Sequence, residues 1–313
     1  MVTSAPVWRA VNRALSPPPI RPLMDRDTRI VIIGTGLLGA SLALALKAKR
    51  EHGEPHAGPI VGVGRRRETL DKARATGGFD EVTDDLPGAL GGAGLVVLAT
   101  PLSTFEGLMG TIAGAGESGL IVSDVGSTKS GPLAAARKHL PERMRFVGAH
   151  PMAGSERQGP EAADAGLFEA RPCIVCRESD TDDAAAEAVT AMWRSLGMRV
   201  LRMTAEAHDR RTAAVSHLPH AAAVMLIEAA EAMGGWGVAS TGFRDTTRLA
   251  SSNPPMRRDI MLENRDALRR ALRTLRERID RLDARLADGD ADALLADLEA
   301  ARARREAWLR EGE

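Results

Sequence analysis

Arg29-Ile-Val-Ile-Ile-Gly34-Thr-Gly36-Leu-Leu-Gly39 runs from strand-like residues into G-x-G-x-x-G, and the apolar segment Ala40 to Ala48 follows at once. The pattern gains weight in this context, where it closes a strand and opens a helix. Gly34 permits a tight turn, Gly36 presents no side chain to a pyrophosphate, and Gly39 lets helix and strand approach closely. Leu37 and Leu38 join the glycines as candidate cofactor-binding positions, because a helix N-terminus offers free N–H groups and a positive dipole end to phosphate. The alternative is a plain glycine turn. The reading is a dinucleotide site on a Rossmann-type parallel sheet.

The end of the second strand bears on which dinucleotide binds. An acidic side chain there would hold a ribose 2′-hydroxyl. The sequence instead has Val63-Gly64-Arg65-Arg66-Arg67. Guanidinium groups match a phosphate in charge and in paired donors. Arg65, Arg66 and Arg67 therefore predict NADP, with NAD still possible if they form only a solvated turn.

Outward from this motif, apolar runs alternate with helix-like segments. The expected strands are Arg29–Ile33, Ile60–Val63, Leu95–Thr100, Leu120–Asp124, Arg145–Ala149, Cys173–Cys176 and Arg199–Met203. This alternation predicts βαβ units and a parallel sheet. After Thr204 the strand-like runs stop. Leu268, Leu272, Leu275, Ile279, Leu282 and Leu286 step by four and three, a heptad seam suited to a partner helix. Three segments are expected: an N-terminal arm over 1–27, a nucleotide-binding Rossmann domain over 28–204, and an all-helical substrate and dimerisation domain over 205–313. A homodimer through the helical half is the favoured partner, and an intrachain bundle is the alternative.

Composition narrows the class. Of 313 residues, 44% are hydrophobic and 27% charged, and 42 Lys plus Arg balance 42 Asp plus Glu. Such a chain can bury a core, and its balance argues against nucleic acid or an anionic membrane as partner. No uninterrupted apolar run approaches the ~20 residues of a membrane span, and the first 27 residues lack an apolar signal stretch. A cytoplasmic location is expected. The two cysteines, Cys173 and Cys176, are too few for a structural zinc site and read as buried strand residues.

In an open parallel sheet, ligands lie beyond the carboxyl ends of the strands. That rule marks Thr100-Pro101 as lining the nicotinamide side. It also marks Asp124-Val-Gly126-Ser127-Thr-Lys129 and Ala149-His150. Oxidation of an alcohol needs a base for the hydroxyl proton, and histidine titrates in the useful range. His150 is the candidate, with a structural core histidine as the alternative.

The sequence resembles the prephenate/arogenate dehydrogenase family of tyrosine biosynthesis. The motifs that carry the likeness are Gly34-Thr-Gly-Leu-Leu-Gly-Ala-Ser41, Asp124-Val-Gly-Ser-Thr-Lys129, His150-Pro-Met-Ala-Gly-Ser-Glu156, Ser216-His-Leu-Pro-His220 and Gly242-Phe-Arg-Asp-Thr-Thr-Arg248. The resemblance implies oxidative decarboxylation of a cyclohexadienol: hydride leaves C4 for the nicotinamide and CO2 leaves C1. It implies that His150 accepts the 4-hydroxyl proton and that Ser127 orients that hydroxyl. It implies that Arg248 binds a substrate carboxylate, that His220 reaches the active site and that His217 supports it. Pro219 is expected to kink the helix carrying the two histidines. Glu156 would favour the ammonium of arogenate over the keto group of prephenate, and Asp245 would hold Arg248 by a salt bridge. A metal at His217 and His220 is the lesser alternative, so no metal is expected.

One departure stands out: Arg257 occupies a place where the family commonly has tryptophan. A further expectation is that any feedback control acts at the active site, since little chain follows the last helix. Two other readings remain. One is a β-hydroxyacid or imine dehydrogenase of the same architecture, which would use a helix lysine where this chain has His217 and His220. The other is a non-catalytic NADP sensor, which would be expected to have lost Ser127, His150 or Arg248.

Overall fold

The computed structural model describes residues 27–52, 58–154 and 157–312. The expected N-terminal arm, apart from Asp27, lies outside these residues, as does Glu156. The chain divides into two compact units. The first runs to Gly126 and resumes over Pro132–Thr204; the second comprises Ser127–Gly131 and the chain from Ala205 onward.

In the first unit, β1 (Arg29–Ile33), β2 (Ile60–Val63), β3 (Glu81–Thr83), β4 (Ala93–Leu98), β5 (Ile121–Asp124) and β6 (Arg145–Val147) form one sheet in the order β3-β2-β1-β4-β5-β6. Every pairing in it is parallel. The central strands are buried along their length, as befits a sheet covered on both faces by crossover helices. Those helices are α1 (Leu37–Glu51), α2 (Arg67–Ala75), α3 (Leu86–Ala89), α4 (Phe105–Ala115) and α5 (Ser130–His139), whose first two residues belong to the second unit. Strand order reverses between β1 and β4, so the loops after these two strands flank the crevice where nucleotides bind in such sheets.

A second sheet in the same unit orders β7 (Ala149–Pro151), β8 (Pro172–Cys176) and β9 (Arg199–Met203). This corrects two expectations. The run Arg145–Ala149 is not one strand, and Cys173–Cys176 and Arg199–Met203, expected in the parallel sheet, form a separate sheet in which β7 lies antiparallel to β8. The break falls at Gly148, whose carbonyl accepts the Cys176 N–H at 2.8 Å; the chain leaves one ladder there and enters another. β3 was unexpected because three residues with an exposed Glu81 carry no alternation to read. α6 (Asp183–Ser195) is capped by the Asp182 carboxylate, which accepts the Ala185 N–H at 2.8 Å. It buries Trp193 edge-on against Phe168, with ring centroids 5.4 Å apart.

From Ala205 onward the second unit is built from helices and contains no strand among the described residues. α7 (Ala205–Thr212) continues through a π-helical turn, Ala213–His217, into α8 (Leu218–Ala232). Then follow α9 (Thr241–Thr247), a 3-10 turn (Arg248–Ser251), α10 (Pro254–Glu263), α11 (Arg265–Asp288) and α12 (Ala291–Gly312). The wide π turn lies just before Pro219, which lacks the N–H that a regular helix would supply there. By length and composition alone, Ala205–Ala232 is long and apolar enough to cross a membrane. Reading only uninterrupted apolar runs missed it, because Ser216, His217, Pro219 and His220 divide the segment.

Trp193 is fully buried, and its indole N–H has no partner among the described residues. Trp193→Ala is expected to destabilise the protein by ~3–5 kcal/mol. Trp193→Phe should cost much less, because it keeps an aromatic ring and removes an unsatisfied donor. Urea unfolding of the three proteins checks this; equal losses in both variants would contradict it.

Candidate active site

The first unit carries the glycine-rich loop. Gly34 has φ +106°, and a Cβ there would collide with the Ala99 carbonyl at the end of β4. A Cβ on Gly39 would strike the Gly34 carbonyl, whereas one on Gly36 would meet nothing within 4 Å. Two glycines thus let backbone pack on backbone, and the third leaves open space before the first turn of α1. That turn has no side-chain cap at Gly36, and Leu37 and Leu38 are its first residues. The arrangement fits a dinucleotide pyrophosphate. Thr100 and Pro101 follow β4 on the other side of the strand-order reversal, and Thr100 shares a 2.7 Å hydroxyl hydrogen bond with Thr104.

Beyond β2, Arg65, Arg66 and Arg67 are all exposed. Arg67 pairs with Asp71 one helical turn on, at 3.8 Å. Among the described residues, Arg65 and Arg66 have no ion pair. The three arginines are therefore not equivalent.

At the ends of β5 and β7, Asp124 is fully buried. Its carboxylate accepts the Gly126 N–H at 2.8 Å and the Ala149 N–H at 3.1 Å. These backbone groups each stand one residue before a candidate catalytic residue, Ser127 and His150. His150 itself is only 9% exposed and lies in β7 opposite Ile174. In the sequence Asp124 is one residue of the Asp124–Lys129 motif, and nothing local signals this role, because its Ala149 partner lies 25 residues away.

The second unit holds Ser127, His217, His220, Asp245 and Arg248. Ser127 lies in a segment gripped by Asp209. One Asp209 oxygen accepts the Lys129 N–H and the other the Ser130 N–H, both at 2.8 Å. This carboxylate therefore caps the first turn of α5 from 80 residues away. His208 donates to the same carboxylate at 2.8 Å. Burial opposes the charge of Asp209, but the hydrogen bonds from His208 and Ser130 hold its carboxyl below the usual range.

Hydrogen bonding also fixes the protons on the two helix histidines. Asn264 places its amide nitrogen 2.8 Å from the Asp209 carbonyl and 3.1 Å from His217 Nδ1. A carbonyl only accepts, so the amide must turn its NH2 toward both groups. His217 Nδ1 is then the acceptor, and its proton sits on Nε2. His220 is the reverse case: its Nδ1 lies 2.8 Å from the Ser216 carbonyl and must donate. Its Nε2 is a buried acceptor with no partner among the described residues. Both rings are neutral near pH 7. Burial brings His217 down to about 4, with Asp209 opposing and His208, Arg257 and His220 assisting. Burial also lowers His220, helped by the charges of Arg257 and Arg248. Three residues apart in sequence, the unit holds one imidazole with a donor on Nε2 and one with an acceptor.

Asp245 does not hold Arg248. Its carboxylate faces Arg244 at 3.7 Å, and the Asp245 and Arg244 side chains are largely exposed. α9 ends at Thr247, so Arg248 enters the 3-10 turn and leaves the helix face that the i, i+3 spacing assumed. Sequence reading missed His208, Asp209 and Asn264 altogether. Their contacts span up to 80 residues, and no local spacing announces them.

Two family models match the chain: "Prephenate dehydrogenase, nucleotide-binding domain" over residues 42–202, and "Prephenate dehydrogenase, dimerization domain" over 204–300. A cyclohexadienyl dehydrogenase of Zymomonas mobilis is 35% identical over 275 residues, covering 85% of this chain and 91% of that protein. A prephenate dehydrogenase of Bacillus subtilis is 34% identical, covering 86% of this chain and 72% of its own. Among solved structures, Aquifex aeolicus prephenate dehydrogenase with hydroxyphenyl propionate and NAD+ superposes with TM-score 0.83. It is 29% identical, covering 89% of this chain and 97% of that one. Synechocystis arogenate dehydrogenase gives TM-score 0.78 at 28% identity, covering 90% and 100%.

A buried histidine with a depressed pKa binds fewer protons folded than unfolded. His217 should therefore reduce stability as pH falls from 6.5 toward 4, and add no further loss below that. Denaturant unfolding across this window should show a shallower decline in His217→Asn than in the parent protein. Identical slopes would show that the site does not hold His217 neutral. Long-range 15N–1H spectra of histidine-labelled protein should find the His217 proton on Nε2 and the His220 proton on Nδ1.

Proposed function

Because the chain belongs to the prephenate dehydrogenase family, we propose that it catalyses the NADP-preferring oxidative decarboxylation of arogenate, prephenate or both. It is a nicotinamide-dependent oxidoreductase of the prephenate, arogenate and cyclohexadienyl dehydrogenase type. The observation that carries the substrate reading is the joint presence of Ser127, His150, His217, His220 and Arg248 in a chain matched over both family domains.

A nicotinamide dinucleotide held at the Gly34–Gly39 loop and the first turn of α1 would supply the hydride acceptor for C4. The chain's own residues do the rest. His150 takes the proton of the 4-hydroxyl, and Ser127 orients that hydroxyl. Arg248 neutralises a carboxylate that would be costly to bury alone. His220 offers an acceptor and His217 a donor, so neither adds a charge. Aromatisation on loss of CO2 drives the reaction, leaving the protein mainly to position groups. Glu156 is assigned to the ammonium of arogenate.

NADP preference is assigned to Arg65 and Arg66, which are exposed beyond β2 with no ion pair among the described residues; Arg67 contributes less because Asp71 engages it. NAD remains the weaker cofactor. The chain is read as a cytoplasmic homodimer, joined through the helical unit. Support comes from its uncovered apolar groups: Val215, Met233 and Val238 are 72–88% exposed, and Ile279, Leu282 and Leu286 of the heptad seam are 47–60% exposed. A second subunit would cover such surface. The apolar face of Ala205–Ala232 is assigned to this contact and not to lipid.

Initial rates with prephenate and arogenate, each with NADP and NAD, test the reading. NADP should give the higher kcat/KM, and Arg65→Ser with Arg66→Ser should raise the NADP KM about 10-fold or more while sparing NAD. Retained NADP preference in that double variant would remove the arginines from the site. Glu156→Gln should lower arogenate turnover relative to prephenate; an unchanged ratio would overturn the Glu156 assignment.

A further inference from the structure

Arg257, Ile260 and Asn264 occupy positions i, i+3 and i+7 along α10 and its C-cap, and so share one helix face. That face is turned inward: Ile260 is 3% exposed, Asn264 is 5% exposed, and the Asn264 amide touches His217. Arg257 stands two turns before Asn264 on the same face, part-buried. Its Nε is buried with no hydrogen-bond partner, and no carboxylate pairs with it among the described residues. A guanidinium removed from water without a counterion is costly. Its charge nevertheless bears on both His217 and His220, and the charge of Arg248 bears on His220 as well. Two cations thus border a pair of neutral imidazoles. That charge balance suits a ligand with two carboxylates.

We propose that Arg257 is a specificity-determining residue that binds the substrate's side-chain carboxylate, the one that survives the reaction. The inference rests on the dehydrogenase reading given above. The ring carboxylate leaves as CO2 and gives its electron pair to the ring. A part-desolvated cation clamped to that group would stabilise the ground state more than the transition state. The same cation on the side-chain carboxylate adds binding that the chemistry does not disturb. Arg248 is the more exposed of the two arginines and is left with the departing carboxylate.

The test compares 3-(4-hydroxyphenyl)propionate, which keeps the side-chain carboxylate, with 4-ethylphenol, which lacks it. Calorimetry with the full chain and bound NADP should show the acid binding about 10-fold or more tighter in the parent protein. Arg257→Gln should erase that preference, and Arg257→Lys, which keeps the charge, should restore part of it. In turnover, the Arg257→Gln defect should fall mainly on KM. Full discrimination in Arg257→Gln, or no preference for the acid in the parent protein, overturns the proposal. If the parent protein still turns over prephenate or arogenate in that case, only Arg257's role is lost. A parent protein that oxidises neither substrate removes the dehydrogenase reading and this inference together.

Discussion

A buried carboxylate must be satisfied on every side or lose its charge. Asp209 meets that demand with the backbone of the Ser127 segment, the His208 ring and the capped end of α5. Its own carbonyl then takes the Asn264 amide, which in turn sets the proton on His217. One residue thereby fixes two features of the helical unit, the path of the chain around Ser127 and the hydrogen-bonding sense of a helix histidine. Substituting either end of this chain of contacts would leave the other end to satisfy a buried polar group alone.

The electrostatic plan of this unit is an economy of charge. Both helix histidines are held neutral by burial and by nearby arginines. The positive charge in this part of the unit belongs to Arg257 and Arg248, while the neutral imidazoles present directed hydrogen-bonding atoms. A protonated histidine in the same place would add attraction without selectivity for a hydroxyl over a carboxylate.

Much of this was legible in the sequence because the relevant physics is local. A glycine that must take positive φ, as Gly34 does, has no substitute of equal ease. The central strands announced themselves as apolar runs between turn residues. Non-local features were not legible. Asp209 on α7 and Asn264 at the α10 C-cap look like dozens of solvated polar residues until folding brings them to partners 47 to 80 residues away. The division of Arg145–Ala149 into strands of two sheets likewise depends on the backbone of Cys176, outside any local window. Asp245 shows the converse error: a correct helical spacing from Arg248 was applied across a helix end.

The π-helical turn at Ala213–His217 has a consequence for how this segment tolerates change. A π turn accommodates an extra residue, and in a regular helix each residue advances the rotation by roughly 100°. It therefore works as a phase shifter between α7, which presents His208 and Asp209, and α8, which presents His220. Deleting one residue here would restore regular helical pitch and improve local hydrogen bonding. The two ends would then be wound out of step by about that angle. The less regular helix is the one in which both sets of side chains can face their partners.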